Sequence, residues 1–249
     1  MRFDATTENM QILSRTQPVG DIFKILGIHF DVKLVMAEAV EQCVSDASWR
    51  LYSLVRTRRF HTDAELVGLY KAHVLSYIES RTSAVYHASS SVLSPLDAIQ
   101  TRFLNSLGIS AMDSLMHLYL APLRTRRGMS ILGVLHRTVL GLGPSCFSRF
   151  FRLSSLPPPP RAPWRHRRHL EEPAFDAPDF ILHSAIGATR IYNLLPAFVI
   201  AAPSVSRFQS RLQRLLVARA STCADWSNIC SPRLPLAFHP LRGCRNWRG

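Results

Sequence analysis

Residues 157–160 are four consecutive prolines, and no helix or central strand can run through them. Each proline holds φ near about −65° and has no N–H to offer a ladder or a helical turn. Arg161, Pro163, Arg165, Arg167 and Arg168 follow closely. Residues 153–178 therefore read as a Pro/Arg linker of polyproline character with nothing to bury. Hydrophobic residues make up 47% of the chain and charged residues 19%, so a buried core is within reach on at least one side of that linker.

Upstream of the linker the apolar period changes once. Residues 1–33 read as extended structure: the runs Met10–Leu13 and Ile22–Phe30 flank the turn signal Pro18–Gly20. Gly27, inside the second run, marks a bulge or a close backbone approach. From Leu34 the steps become three and four residues. Val40, Val44, Ala47, Leu51 and Leu54 form one stripe ending near Arg58. Thr62, with Glu65 three positions on, has capping-box spacing, and the helix it starts carries Leu66, Leu69 or Tyr70, Val74 and Tyr77 inward. Further helices are expected over Leu93–Leu107, closed by Gly108, and from about Pro122 to Leu140, stopped by Gly141–Pro144. Shorter helices fit residues 112–119 and 145–151. The fold class is mainly α: a short N-terminal β hairpin, then a helical bundle over residues 34–152.

Beyond the linker, residues 179–220 form a small helical segment. A helix is expected at Ile181–Asn193 and an amphipathic one at Ser204–Ala220, with Val205, Phe208, Leu212 and Leu215 on its apolar face. Residues 221–249 lack periodicity and read as a tail with little regular structure.

The formal charge is +13, and only Lys24, Lys33 and Lys71 are lysines, so the remaining cations are arginines. The planar guanidinium fork suits phosphate oxygens, which points toward RNA or DNA as a partner. The positive balance grows toward the C-terminus. Three clusters are candidate phosphate contacts. Arg56, Arg58 and Arg59 stand at a helix end, where the dipole already favours cations by about 0.3–1 kcal/mol each. Arg124, Arg126 and Arg127 stand at a helix start, where it does not. Arg207, Arg211 and Arg214 stripe one face of the last amphipathic helix.

Other chemistries find less support. The longest apolar stretch, Ile191–Ala202, is about half of a membrane span and Pro196 interrupts it, so no membrane partner is expected. No apolar run follows the first basic residue as a signal peptide requires. Five irregularly spaced cysteines suit a reducing, intracellular compartment. Cys43 and Cys146 read as small buried residues. Cys223, Cys230, His239 and Cys244 form a loose zinc set, but the first pair is too widely spaced for a tight knuckle. Metal-dependent phosphoryl transfer needs paired carboxylates, and the sequence has no Asp-Asp or Asp-x-Asp. Glu171-Glu172, the one adjacent pair of acids, lies in the linker. A phosphate-binding glycine loop and a nucleophile elbow are also missing, so no catalytic residue and no cofactor is assigned.

Four segments occur in an order that resembles the region downstream of the active site in non-LTR (long-interspersed-element-type) retrotransposon reverse transcriptases. The first is Phe23-Lys24-Ile25-Leu26-Gly27-Ile28 with Asp31 and Lys33. The second runs from Leu51-Tyr52-Ser53-Leu54 through Leu69-Tyr70-Lys71-Ala72 to Ile78-Glu79, with Tyr86 near its end. The third is Leu96–Leu104 with Gly108, and the fourth is Leu120-Ala121-Pro122-Leu123 with Arg126-Arg127, Leu132-Gly133 and His136-Arg137. The likeness covers about residues 1–150. It implies that the hairpin is a primer grip, with Lys24 and Gly27 near a nucleic-acid strand, and that residues 34–152 are a thumb lying along a template–primer duplex. The family's catalytic aspartates and their Mg²⁺ belong to a palm, which would precede Met1. Ala5-Thr6 and Ser80-Arg81 depart from the family pattern. The resemblance thus implies a fragment or decayed copy of an RNA-directed DNA polymerase without catalytic carboxylates. A stand-alone basic helical module that binds nucleic acid or another protein is the alternative.

Overall fold

The computed structural model describes residues 11–12, 15–16, 22–155, 166, 168–174, 177–235 and 239–243. The chain opens with two small antiparallel pairs, β1 (Gln11–Ile12) with β2 (Arg15–Thr16), and β3 (Ile22–Ile25) with β4 (Ile28–Asp31). Among the described residues, everything after the second hairpin is helix, turn or loop apart from one isolated bridge. The mainly helical class with a short N-terminal hairpin is therefore observed.

Gly27 ends no bulge. It forms, with Leu26, the two-residue turn of the β3–β4 hairpin, and both take positive φ (49° and 80°). Two-residue hairpin turns need that hand to match the twist of the strands, and glycine supplies it without a Cβ penalty. Ile28 and Phe30 pack on the helices, and their cross-strand partners Ile25 and Phe23 share that face of the hairpin but stay exposed, Phe23 stacking on Phe30 at 5.4 Å.

Asp31 closes the hairpin and starts the first helix. Its carboxylate accepts from the backbone N–H of Val35 (2.8 Å) and Met36 (2.7 Å), and α1 (Ala37–Arg56) begins one residue later. The buried stripe of α1 is Ala39, Val40, Cys43, Ala47, Leu51 and Leu54, centred on Cys43 with Val44 at its edge. The capping box forms as its spacing requires: Thr62 and Glu65 exchange bonds at the start of α2 (Asp63–Leu69). A wide π turn (Tyr70–Leu75) then leads into α3 (Ser76–Ser80) and the short α4 (Thr82–Val85). The extra residue in that turn shifts the inward register by one. Tyr70, Val74 and Ile78 are buried, and Tyr77 is displaced to the edge, where its hydroxyl bonds Asp46.

Ser89 caps α5 (Ser90–Leu107), which Gly108 ends at φ 68°; α6 (Ala111–Leu118) follows and then α7 (Leu123–Val139). A 3₁₀ turn occupies Ser145–Arg149, and Cys146 within it is exposed, against the expectation of burial; Cys43 is buried as expected. The single helix expected over Ile181–Asn193 is instead two, α8 (Asp179–Leu182) and α9 (Ala188–Leu194). Between them Gly187 lies so close to Leu182 that a Cβ would stand 1.8 Å from its carbonyl oxygen. The short α10 (Ala197–Ile200) precedes α11 (Val205–Ala220), which Ser204 caps.

Two apolar cores result. The first joins α1–α5 and ends at Leu120 and Leu123; the second gathers Ile131, Leu132 and Leu135 of α7 with α9, α10, α11 and Leu241. Helix α7 contributes to both, which explains why residues are buried around most of its circumference. The expectation that residues 153–178 pack on nothing is overturned for their described part. Leu170 is buried in the second core, and Asn193 clasps its backbone at both N–H and C=O (2.9 Å each). Among the described residues of 221–243 there are two 3₁₀ turns, Trp226–Asn228 and Pro240–Gly243, and Trp226, Ile229 and Cys230 are buried. The second core draws on residues both before and after the proline run.

Candidate nucleic-acid interface

The three arginine clusters meet different fates. At the end of α1, Arg56 and Arg59 remain exposed, while Arg58 donates to the carbonyl of Ser106 and ties the 3₁₀ turn Arg58–Phe60 to α5. The Arg56 guanidinium lies 5.6 Å from the Tyr52 ring centroid and that of Arg59 lies 4.6 Å from Phe60. Trp49, Tyr52 and Phe60 are all exposed. Along α1 the positions 49, 52 and 56 step by three and four and share one solvent-facing stripe, which the exposed Arg59 and Phe60 of the following 3₁₀ turn extend. The aromatic members of this stripe were not singled out by sequence reasoning. The signal was available: Trp49 and Tyr52 fall opposite the buried Cys43–Ala47–Leu51 stripe, where apolar residues have no core to reach.

The cluster at the start of α7 is exposed at Arg124, half-buried at Arg126 and buried at Arg127. Arg127 is only 5% exposed and grips Asp97 with two bonds of 2.7 and 2.9 Å. Arg126 pairs with Glu79, and Arg124 donates to the Ser227 hydroxyl. Cations at a helix start have no help from the dipole, and here specific partners supply the compensation. These three residues hold α7 to α5, α3 and the 227–233 segment. On α11, Arg207 and Arg214 are exposed, but Arg211 reaches back to the carbonyl of Phe198. The expected three-arginine stripe is thus reduced to two.

The hairpin keeps its candidates at the surface. Lys24 pairs across the strands with His29, and the Leu26–Gly27 turn is open, with Leu26 97% exposed. His29 bonds Glu38 at 3.1 Å and anchors the hairpin to α1. Arg50 and Arg81 both approach the Tyr77 ring, at 4.3 and 3.8 Å. Burial and the bond to Asp46 push the Tyr77 hydroxyl up to about 12.

Burial alone would raise Asp31, but the N–H groups of Met36 and Val35 outweigh it and hold its carboxyl below the usual range. Asp21 lies outside the described residues. Of the loose zinc set, Cys223 is half-buried, Cys230 and His239 are buried, and Cys244 is outside the described residues. Burial pushes the Cys230 thiol up to about 12, away from the thiolate that zinc binds. Among the described residues no three such side chains gather, and no helix is long and apolar enough to cross a membrane.

Comparison of the chain with protein-family models, curated proteins and solved structures finds no match.

Proposed function

We propose that the chain is a non-catalytic nucleic-acid-binding module of the thumb type, akin in its order of segments to non-LTR retrotransposon reverse transcriptases. It holds RNA or DNA without sequence choice, through the exposed stripe of Trp49, Tyr52, Arg56 and Arg59 with Phe60 beside it. That stripe carries the reading. Aromatic faces accept any base by stacking, worth about 1–3 kcal/mol per base, while adjacent guanidinia follow the phosphates. The exposed hairpin tip, with Lys24 and Gly27, and the exposed Arg207 and Arg214 are secondary contacts.

Anisotropy with a labelled oligonucleotide tests this. Affinity is expected to fall linearly with log salt, and Arg56→Gln or Arg59→Gln each to flatten the slope by about one. Tyr52→Ala is expected to weaken binding about tenfold or more at fixed salt. No binding at about 50 mM salt overturns the reading and leaves the stripe as a protein contact. Primer extension by the purified chain with Mg²⁺ or Mn²⁺ would refute its non-catalytic half.

A further inference from the structure

Between α5, the start of α7 and residues 227–233 lies a cavity of about 310 Å³. Three guanidinia line it, those of Arg124, Arg127 and Arg233, and one carboxylate, that of Asp97. Asp97 is taken up by its two bonds to Arg127. Arg124 bonds only the neutral Ser227 hydroxyl, and Arg233 donates to the Ser90 hydroxyl (2.6 Å) and to the carbonyls of Tyr86 and Ala88. The lining therefore carries two cations more than anions in a space partly closed to water. Burial opposes the charge on Arg233, and the nearby Arg127 adds repulsion. Uncompensated charge of this kind is costly away from solvent.

A second observation is independent of charge. Tyr86 is 7% exposed, lines the same cavity, and its hydroxyl has no hydrogen-bond partner among the described residues. A buried hydroxyl left unpaired costs about 1–3 kcal/mol. What would satisfy Tyr86 and the spare guanidinium N–H groups together is an acceptor with several oxygens and close to two negative charges.

We propose that this cavity binds a phosphate group, held by Arg124, Arg127 and Arg233 and by a hydrogen bond donated from the Tyr86 hydroxyl. A phosphomonoester carries about −1.5 to −2 near neutral pH, which matches the excess, and its oxygens suit planar guanidinium forks. A monocarboxylate would leave one cation unbalanced. The volume, at the small end of ligand pockets, admits free phosphate or the phosphate end of a small metabolite. None of this depends on the α1 stripe, which does not line the cavity.

Calorimetry on the full chain, at ionic strength matched with sodium chloride, separates the sources, with inorganic phosphate and adenosine 5′-monophosphate as probes. Saturable one-to-one binding of either supports the proposal; tighter monophosphate binding assigns the site to phosphomonoesters, and equal or weaker binding assigns it to free phosphate. Tyr86→Phe removes no existing bond, so its melting temperature is expected to hold or rise while affinity drops about tenfold. Arg124→Gln, at a solvent-exposed position, is expected to lose at least as much and serves if the first variant fails to fold. Binding of neither probe overturns the proposal, as does binding undiminished in both variants.

Discussion

His136 and Arg127, nine positions apart on α7, are both buried, and each is satisfied from far along the chain. The His136 Nε2 faces the carbonyl of Ala202 at 3.0 Å and must donate, so Nδ1 accepts from the Tyr192 hydroxyl, also at 3.0 Å. The imidazole is thereby held neutral, and burial lowers its pKa. His166 is placed similarly: its Nε2 donates to the carbonyl of Tyr192, and burial lowers its pKa to about 4. A histidine whose folded pKa lies below its unfolded value of 6.5 takes up a proton on unfolding. Stability is then full above about pH 6.5, falls as pH drops through that window, and stops falling below about 4. His166→Gln, which keeps a donor for Tyr192, is expected to flatten thermal melts between those limits, by roughly 3 kcal/mol across the window. Melts that shift equally with pH in parent and variant would exclude this. None of these partners was legible beforehand, because the pairs span 26 to 66 residues. The partners of Arg124, Arg126 and Arg127 were hidden for the same reason, since Ser227, Glu79 and Asp97 are remote in sequence.

Local elements were far more legible. Thr62 with Glu65 and the Gly108 stop are decided within four residues, and both form where the sequence places them. The register beyond Tyr70 was not, because a π turn leaves no periodic signature of its own; it replaces Tyr77 by Ile78 in the core. The gap between α8 and α9 likewise comes from a backbone approach at Gly187 that apolar spacing does not encode. The β3–β4 turn holds a different local conflict. Leu26, a branched residue at φ 49°, occupies a site that favours Asn or Gly. Leu26→Asn should stabilise the protein by up to about 1 kcal/mol, read as a higher denaturation midpoint at unchanged slope. A lower midpoint would mean that Leu26 makes contacts that outweigh its strain.

For the whole molecule, the decisive piece is α7, shared by both cores. Gly128 on α7 lets residues 228–231 approach so closely that a Cβ would sit 2.6 Å from both Cβ and O of Cys230. Gly128→Ala forces backbone apart on that side and is expected to cost about 1–3 kcal/mol in equilibrium unfolding. A loss under about 0.5 kcal/mol, typical of surface positions, would show that the segment yields freely. The same variant should also disturb the cavity beside Tyr86, which shares Gly128 and Cys230 as walls. At this scale the proline run was misleading as a boundary, because Leu170, Trp226 and Ile229 bring later sequence back onto α7.

Across that run, Ser154 donates its backbone N–H to His169 and Glu171 donates to Arg152, so the two ends of the intervening chain are zipped side by side. Among the described residues, that join is made by residues 152–154 with 169–171. Lengthening the loop costs only slowly growing closure entropy, so its length is a nearly independent variable of the architecture. A chain severed within it would keep its halves together, stitched by that bridge and by the single helix they share as a spine.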